Sequence, residues 1–298
     1  MGDDVTDDVT TASDLTQQVV DSVEHCPDPR LRELVRGLVR HLHEFAVEQS
    51  LTETELMAGI RFLTEVGQMC TERRQEFILL ADTLGVSMLV DLINHTVAGS
   101  ATESTVLGPF YVEDAPWRTN GDAITGDLGP QPLLVGGHVR DTDGLPVAGA
   151  TIDIWQNATN RLYAVQDDAQ SPDNLRGRFR TDAAGAFAFR TVRPVDYPIP
   201  DDGPVGRMLQ ATGRHPWRPA HIHCIVSAEG FVKVRTHIFD SESTYLGSDV
   251  VFGVKQSLIR TFVAHDPSVE AVPAGIVGRW YTVDIDIVLQ PTAPGSRS

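Results

Sequence analysis

Residues 217–226 read Trp217-Arg218-Pro219-Ala220-His221-Ile222-His223-Cys224-Ile225-Val226, and the period of this stretch decides the fold. From His221 to Val226 the run is short, apolar and rich in β-branched residues, which marks a strand. Alternate side chains of a strand share a face, so the two imidazoles point one way while Ile222 and Cys224 point into the other layer. Comparable runs lie on both sides of it: Leu133–Val139, Ala150–Trp155, Ala186–Thr191, Val232–Phe239 and Tyr281–Leu289. Turn signals such as Asp143-Gly144 and Ala184-Gly185 separate several of them. Short strands with turns between them predict a mostly antiparallel β-sandwich over residues 133–290.

Upstream the period becomes helical. Leu31, Leu34, Val35, Leu38, Leu42 and Phe45 recur at helical spacing and form one apolar stripe. Thr52-Glu53-Thr54-Glu55 is a capping-box pattern, with Leu56, Ile60 and Leu63 continuing a stripe behind it. Phe77 to Val97 reads as one or two further helices with a break at Gly85. Residues 14–100 are therefore expected to form a helical domain, and the class is α+β. Residues 101–132 hold Gly108-Pro109, Ala115-Pro116, Gly129-Pro130 and Pro132, which favour linking loops. A crossing helix or helical turn is expected at Val254–Phe262. The acidic residues 1–13 are expected to be disordered and the Pro/Gly/Ser-rich residues 291–298 mobile.

The bulk properties exclude several roles. A chain of 298 residues with 41% hydrophobic and 22% charged residues reads as globular. Its charge, 24 basic minus 41 acidic residues, is −17. Such a surface repels phosphate backbones and anionic lipid, so neither nucleic acid nor a membrane is an expected partner. No basic region followed by an apolar stretch opens the chain, and no apolar run reaches membrane-spanning length. The three cysteines, Cys26, Cys70 and Cys224, are far apart, which fits a reducing cytoplasm better than a disulfide framework.

Two histidines on one face of a strand can present two nitrogens to one metal, or can simply hydrogen-bond to each other. Tyr163 and Tyr197 sit in loop-like stretches, Arg161-Leu162-Tyr163-Ala164 and Asp196-Tyr197-Pro198-Ile199-Pro200. Spacing alone does not separate them from Tyr111 or Tyr245. Chemically, two phenolates and two imidazoles suit a ferric ion better than zinc or a cuprous ion. No HExxH, GxSxG, P-loop or GxGxxG motif offers another chemistry.

Further pieces accompany these residues: Val106-Leu107-Gly108-Pro109-Phe110-Tyr111, Gly136-Gly137-His138-Val139-Arg140-Asp141, Pro146-Val147-Ala148-Gly149-Ala150 and Ile152-Asp153-Ile154-Trp155-Gln156. With Arg161-Leu162-Tyr163, Tyr197-Pro198-Ile199-Pro200 and Trp217 to His223, the chain resembles the intradiol aromatic-ring dioxygenases, and within them the branch that takes hydroxyquinol. The resemblance spans nearly the whole chain apart from the two tails. It implies one non-haem ferric ion per chain, held by Tyr163, Tyr197, His221 and His223. It also implies that an aromatic diol chelates the ion and displaces Tyr197, which then accepts a substrate proton. O2 cleaves the ring between the two hydroxyls; for hydroxyquinol the product would be 3-hydroxy-cis,cis-muconate, or maleylacetate. Arg218 is the candidate to stabilise negative charge during the reaction.

A site that selects the third hydroxyl of hydroxyquinol should offer it a buried polar partner. Asp82, in Leu79-Leu80-Ala81-Asp82, is the candidate. By the resemblance, Leu79, Val106, Leu107, Gly108, Pro109, Phe110, Ile199, Pro200 and Val251 line the pocket. His237 lies on the strand after the ligand strand, either supporting the ligands or marking the hydroxyquinol branch. The resemblance further implies a homodimer through the N-terminal helices, with an apolar tunnel able to hold a lipid. Three competitors remain: a catechol or chlorocatechol 1,2-dioxygenase, a non-catalytic β-sandwich binding module, and a zinc hydrolase. Tyrosine is an uncommon zinc ligand, which disfavours the last.

Overall fold

The computed structural model describes residues 11–72, 74–95 and 99–292. Chain contacts divide it into two compact units that meet between Glu65 and Val66. The first holds α1 (Ala12–Ser22), α2 (Pro29–Glu48) and most of α3 (Glu53–Gln68). Thr11 and Asp14 close a reciprocal capping box on α1. That cap satisfies N–H groups the helix would otherwise leave open. Helix therefore begins at Ala12, inside the stretch expected to lack structure; residues 1–10 lie outside the described residues. Asp28 caps α2 by accepting from the N–H groups of Arg30 (2.9 Å) and Leu31 (3.2 Å), with Pro29 leading the first turn. The expected box at Thr52 and Glu55 forms, with Thr52 N–H donating to Glu55 at 2.9 Å. α1 meets α2 through Thr16 and His43 (2.8 Å). No residue of α2 is buried, and Leu38 in the middle of its stripe is 59% exposed.

The second unit takes in α4 (Glu76–Thr83), α5 (Val86–Asn94) and α6 (Pro204–Ala211). Buried polar contacts tie α4 and α5 into this unit. Glu76 accepts from the Val205 N–H (3.2 Å) at the start of α6, and Asp91 accepts from Ser104 (2.9 Å). The break expected between α4 and α5 is Gly85, whose φ of 74° lies in the left-handed region.

The strands in chain order begin with β1 (Pro132–Asp141), β2 (Thr151–Trp155), β3 (Arg176–Arg180), β4 (Ala186–Val192), β5 (Tyr197–Pro198) and β6 (Trp217–Arg218). They continue with β7 (His221–Ser227), β8 (Val234–Asp240), β9 (Ile259–Arg260), β10 (Val263–His265) and β11 (Trp280–Leu289). One sheet runs β10-β11-β1-β4, a second runs β3-β2-β7-β8-β9, and β5 pairs with β6 as a separate ribbon. Pairing is antiparallel except for β1 with β11 and β8 with β9. The residues expected to form a helix or helical turn at Val254–Phe262 give one 3-10 turn, Gln256–Leu258, followed by β9. Pairing of β9 along β8 holds the rest extended.

Side chains of the two large sheets meet in one core. Leu133, Val135 and Val139 of β1 lie with Ile152 and Ile154 of β2 and with Ile222, Cys224 and Val226 of β7. Phe179 of β3 stacks on Phe189 of β4 across the sheets, with ring centres 5.4 Å apart. Full burial of one such side chain contributes about 1.5–3 kcal/mol. At the C-terminal end Pro291 bridges Phe231 and Thr292 bonds to Gly230, so these two residues of the expected mobile tail are ordered. Residues 293–298 of that tail lie outside the described residues. No helix among the described residues is long and apolar enough to cross a membrane.

Candidate metal centre

Alternation along β7 puts Ile222 and Cys224 in the sandwich core and turns His221 and His223 to the opposite face. Both imidazoles are buried, and their Nε2 atoms lie 3.1 Å apart. The neighbouring strands hold them in place. In register with His223, β2 supplies Trp155, stacked on the imidazole at 4.5 Å and 10°. On the other side β8 supplies His237, whose ring is edge-on to His223 at 4.2 Å and stacked on His221 at 4.6 Å.

The two tyrosines arrive from elsewhere. Tyr163 stands before the 3-10 turn Ala164–Gln166, which it caps by donating its N–H to Gln166 at 3.0 Å. Its hydroxyl lies 3.0 Å from His223 Nε2 and 3.2 Å from the Tyr197 hydroxyl. Tyr197 is held by the β5–β6 ribbon, opposite Arg218. Phe110 stacks on Tyr163 at 4.7 Å. The four residues expected to form a ligand set thus converge, all of them buried.

What this cluster can hold follows from its lone pairs. His221 Nδ1 is 2.7 Å from the Pro219 carbonyl oxygen, which can only accept, so Nδ1 carries the proton and Nε2 presents a lone pair. Burial, reinforced by the Arg218 charge, holds His221 well below its ordinary pKa. Burial does the same for His223 and His237, helped by the neighbouring imidazoles and Arg218. All three are neutral, the form that ligates. Burial drives the Tyr163 phenol well above its usual range and raises Tyr197 as well, with Arg218 opposing the rise at Tyr197. Two phenol oxygens and two imidazole nitrogens converge on one point, a donor set that a cation can take up once the phenols lose their protons. The ligand nitrogens of His221, His223 and His237 also lie within 4.8 Å of one another. Three imidazoles alone would suit zinc. The added phenol oxygens, hard donors once deprotonated, favour a ferric ion.

Arg218 is buried, and its Nη1 lies 3.4 Å from the Tyr197 hydroxyl and 3.4 Å from His221 Nε2. Its other side meets Asp249, at 3.1 Å from Nε to Oδ1 and 3.3 Å from Nη2 to Oδ2. Sequence reasoning passed over Asp249 and Trp155. Asp249 stands two residues before the expected pocket residue Val251, and Trp155 lies in a run read as a strand and as part of the family resemblance but given no role; neither carries a local signal of its contact.

A cleft of about 670 Å³ lies beside the cluster and includes Asp82, Val106, Leu107, Gly108 and Arg235 in its lining. A side chain at Gly108 would begin 3.5 Å from His223, so the cleft approaches the histidines there. Asp82 is 3% exposed and bonds to Ser87. Burial raises its carboxyl pKa, while Ser87 and the Arg218 charge pull the other way. Leu79, Pro109, Phe110, Ile199, Pro200 and Val251 do not line this cleft. Of these, Phe110 packs against the tyrosines, Ile199 and Pro200 follow Tyr197, and Val251 donates its N–H to Asp249 at 3.3 Å. Neither ring nitrogen of His237 makes a hydrogen bond of good geometry among the described residues; the Val106 main chain offers a marginal one.

Comparison with known proteins agrees with this arrangement. Residues 28–102 match the family model described as the catechol dioxygenase N terminus, and residues 106–291 match the dioxygenase model. A hydroxyquinol 1,2-dioxygenase of Rhizobium sp. (strain MTP-10005) is 52% identical over 275 residues, covering 92% of this chain and 93% of that protein. A 6-chlorohydroxyquinol 1,2-dioxygenase of Cupriavidus pinatubonensis is 44% identical, covering 93% of this chain and 97% of that one. Among solved structures, hydroxyquinol 1,2-dioxygenase from Pseudomonas putida DLL-E4 superposes with a TM-score of 0.88 at 48% identity, covering 94% of this chain and 99% of that chain.

Proposed function

The chain belongs to the intradiol ring-cleavage dioxygenases, and from that premise we propose that it opens hydroxyquinol between its adjacent hydroxyls with O2. The observation that carries this reading is the convergence of Tyr163, Tyr197, His221 and His223 through contacts of 3.0–3.2 Å. These four would hold one ferric ion. When bound, that ion supplies Lewis acidity and a template for the diol and O2.

The chain's own residues do the rest. The Arg218 charge beside Tyr197 favours its deprotonated form, so its oxygen would stand free of a proton and ready to accept one from the second hydroxyl of the diol. Arg218, buried and cationic, stabilises negative charge as it develops on the ring. Asp82 accepts a hydrogen bond from the third hydroxyl, which catechol lacks. His237 supports the two histidines it packs against. Leu79, Val106, Leu107, Gly108, Pro109, Phe110, Ile199, Pro200 and Val251 exclude water around the ring. The product would be 3-hydroxy-cis,cis-muconate or its keto form, maleylacetate.

The open stripe of α2 supports assembly as a homodimer through the helical unit, with an apolar space there able to take a lipid. The three free cysteines support a reducing, cytoplasmic setting.

The visible spectrum of the purified protein tests the whole reading. Tyrosinate bound to ferric iron should colour the resting protein, and anaerobic hydroxyquinol should shift the band at lower concentration than catechol. An equal response to both diols would remove the role given to Asp82. A protein that stays colourless after ferric reconstitution would remove the iron site.

A further inference from the structure

The guanidinium of Arg218 has two engaged nitrogens and one directed nitrogen. Nε and Nη2 are taken up by the two oxygens of Asp249, at 3.1 and 3.3 Å. Nη1 is left facing the Tyr197 hydroxyl and His221 Nε2, each 3.4 Å away. We infer that Asp249 is a positioning residue for the reaction: it grips Arg218 from behind and turns its one free nitrogen toward the Tyr197 phenol. This inference rests on the reading of the site given under Proposed function.

The grip is rigid for three reasons. A guanidinium is planar, so two parallel bonds to one carboxylate set the direction of the third nitrogen. The carboxylate itself is fixed by main chain: Oδ1 accepts from the Val251 N–H at 3.3 Å and Oδ2 from the Gly253 N–H at 3.0 Å. The turn that brings those N–H groups back requires Phe252 in the left-handed region, at φ 58°, a conformation held against a cost of about 1–3 kcal/mol.

The turn is then tied to the surroundings of the cleft. Thr105 donates to the Gly253 carbonyl at 3.0 Å. Arg214 donates to the Val250 carbonyl at 2.9 Å and to the Thr83 carbonyl at 2.6 Å, linking the turn to the residue after Asp82. Space is also used up. A side chain on Gly253 would begin 3.1 Å from Arg218 Nη2 and 3.2 Å from Asp249 Oδ2.

Stability alone does not account for such a pair. Desolvation offsets most of the attraction between two buried charges, and apolar residues of the same volume often serve the fold as well. The pair differs from an apolar replacement in what it leaves facing the cluster, one aimed nitrogen.

A double-mutant cycle on the iron-loaded enzyme tests this. Asp249→Asn keeps the shape of the side chain and removes the charge. Below its melting temperature it should retain wild-type iron content and resting colour, lose about 100-fold in kcat, and keep KM within about threefold. In an Arg218→Gln background the same change should cost less than about threefold, because its target is gone. A full penalty in that background, or an unchanged kcat in the single variant, overturns the inference. If Asp249→Asn does not accumulate folded, Gly253→Ala replaces it, since it crowds Nη2 and leaves the carboxylate; its effect should likewise vanish without Arg218. A wild-type protein that binds no iron would instead overturn the site reading, whereas a coloured, active enzyme with additive effects removes only the role of Asp249.

Discussion

The two faces of β7 are equally dry and chemically opposite. Ile222, Cys224 and Val226 are at most 1% exposed and packed wholly against apolar neighbours. His221 and His223, on the other face, are at most 2% exposed, yet their Nε2 atoms lie 3.1 Å apart and His223 Nδ1 has no hydrogen-bond partner among the described residues. Packing satisfies the first face completely. The second gathers donor atoms that a cation can take up. Burial by itself therefore says nothing about function; the unmet polar demand on one face does. Cys224 illustrates the contrast, since burial pushes its thiol pKa up and leaves it a small apolar side chain.

This contrast can be broken most sharply at His223. His223→Ala removes one of the converging donors without touching the core face. Turnover should fall by at least about 1,000-fold, well beyond the 10–100-fold that changes behind a metal ligand bring. Iron measured per chain should fall with it. Iron bound at the wild-type level would mean that the site face does not depend on this nitrogen, and the contrast would fail. The mirror change is Ile222→Ala, one residue away on the core face. It should destabilise the fold by about 2–5 kcal/mol in a denaturant titration. The resting visible band should stay at the wild-type wavelength. A shifted band with little stability lost would show that the two faces are not separable.

Local periodicity made the core face legible before any coordinates. Alternation from His221 to Val226 put the histidines on one side and Ile222 with Cys224 on the other, and the capping boxes and the Gly85 break are equally local. The tyrosines were not legible in this way. Tyr111 and Tyr245 fit the same loose description, and only long-range folding sends them elsewhere, Tyr111 to Asp153 (3.1 Å) and Tyr245 onto Trp217 (5.2 Å). Tyr163 and Tyr197 were singled out by the family resemblance. Asp249 escaped notice because its meaning lies in Arg218, 31 residues away. The contact division at Glu65 was not legible for a related reason. Helical period identifies α4 and α5 but cannot say that buried Glu76 and Asp91 tie them to the sandwich unit.

The helical unit adds a third condition, apolar but uncovered. Leu34, Leu38 and Leu42 on α2 are each more than half exposed, which a stable isolated surface seldom tolerates over so long a stripe. If a second copy covers it, Leu38→Glu together with Leu42→Glu should convert a dimer to a monomer in sedimentation. Turnover per iron should stay within about twofold, since the proposed iron ligands lie wholly in the other unit. A wild-type monomer would break this part of the comparison. A monomeric variant that loses activity would show that the site depends on assembly.

The smallest effect is expected where the site face of the sheet is polar but already satisfied. On β2, Ile152 and Ile154 enter the core, while Asp153 lies on the same side as Trp155 and accepts from the Tyr111 hydroxyl at 3.1 Å. Burial, with the Asp153 charge second, pushes the Tyr111 pKa from its ordinary 10.0 to about 12. Between those values the folded protein keeps a proton that the unfolded chain has released. Stability therefore falls as pH rises through that window. Tyr111→Phe removes the titrating group, so its denaturation midpoint should decline less steeply from pH 10 to 12 than that of the wild type. At neutral pH the same variant should bind iron normally, because this pair needs no cation to complete it. Lost iron would place Asp153 and Tyr111 in the same class as the histidines, and the line drawn between satisfied and unsatisfied polar groups on this face would have to move.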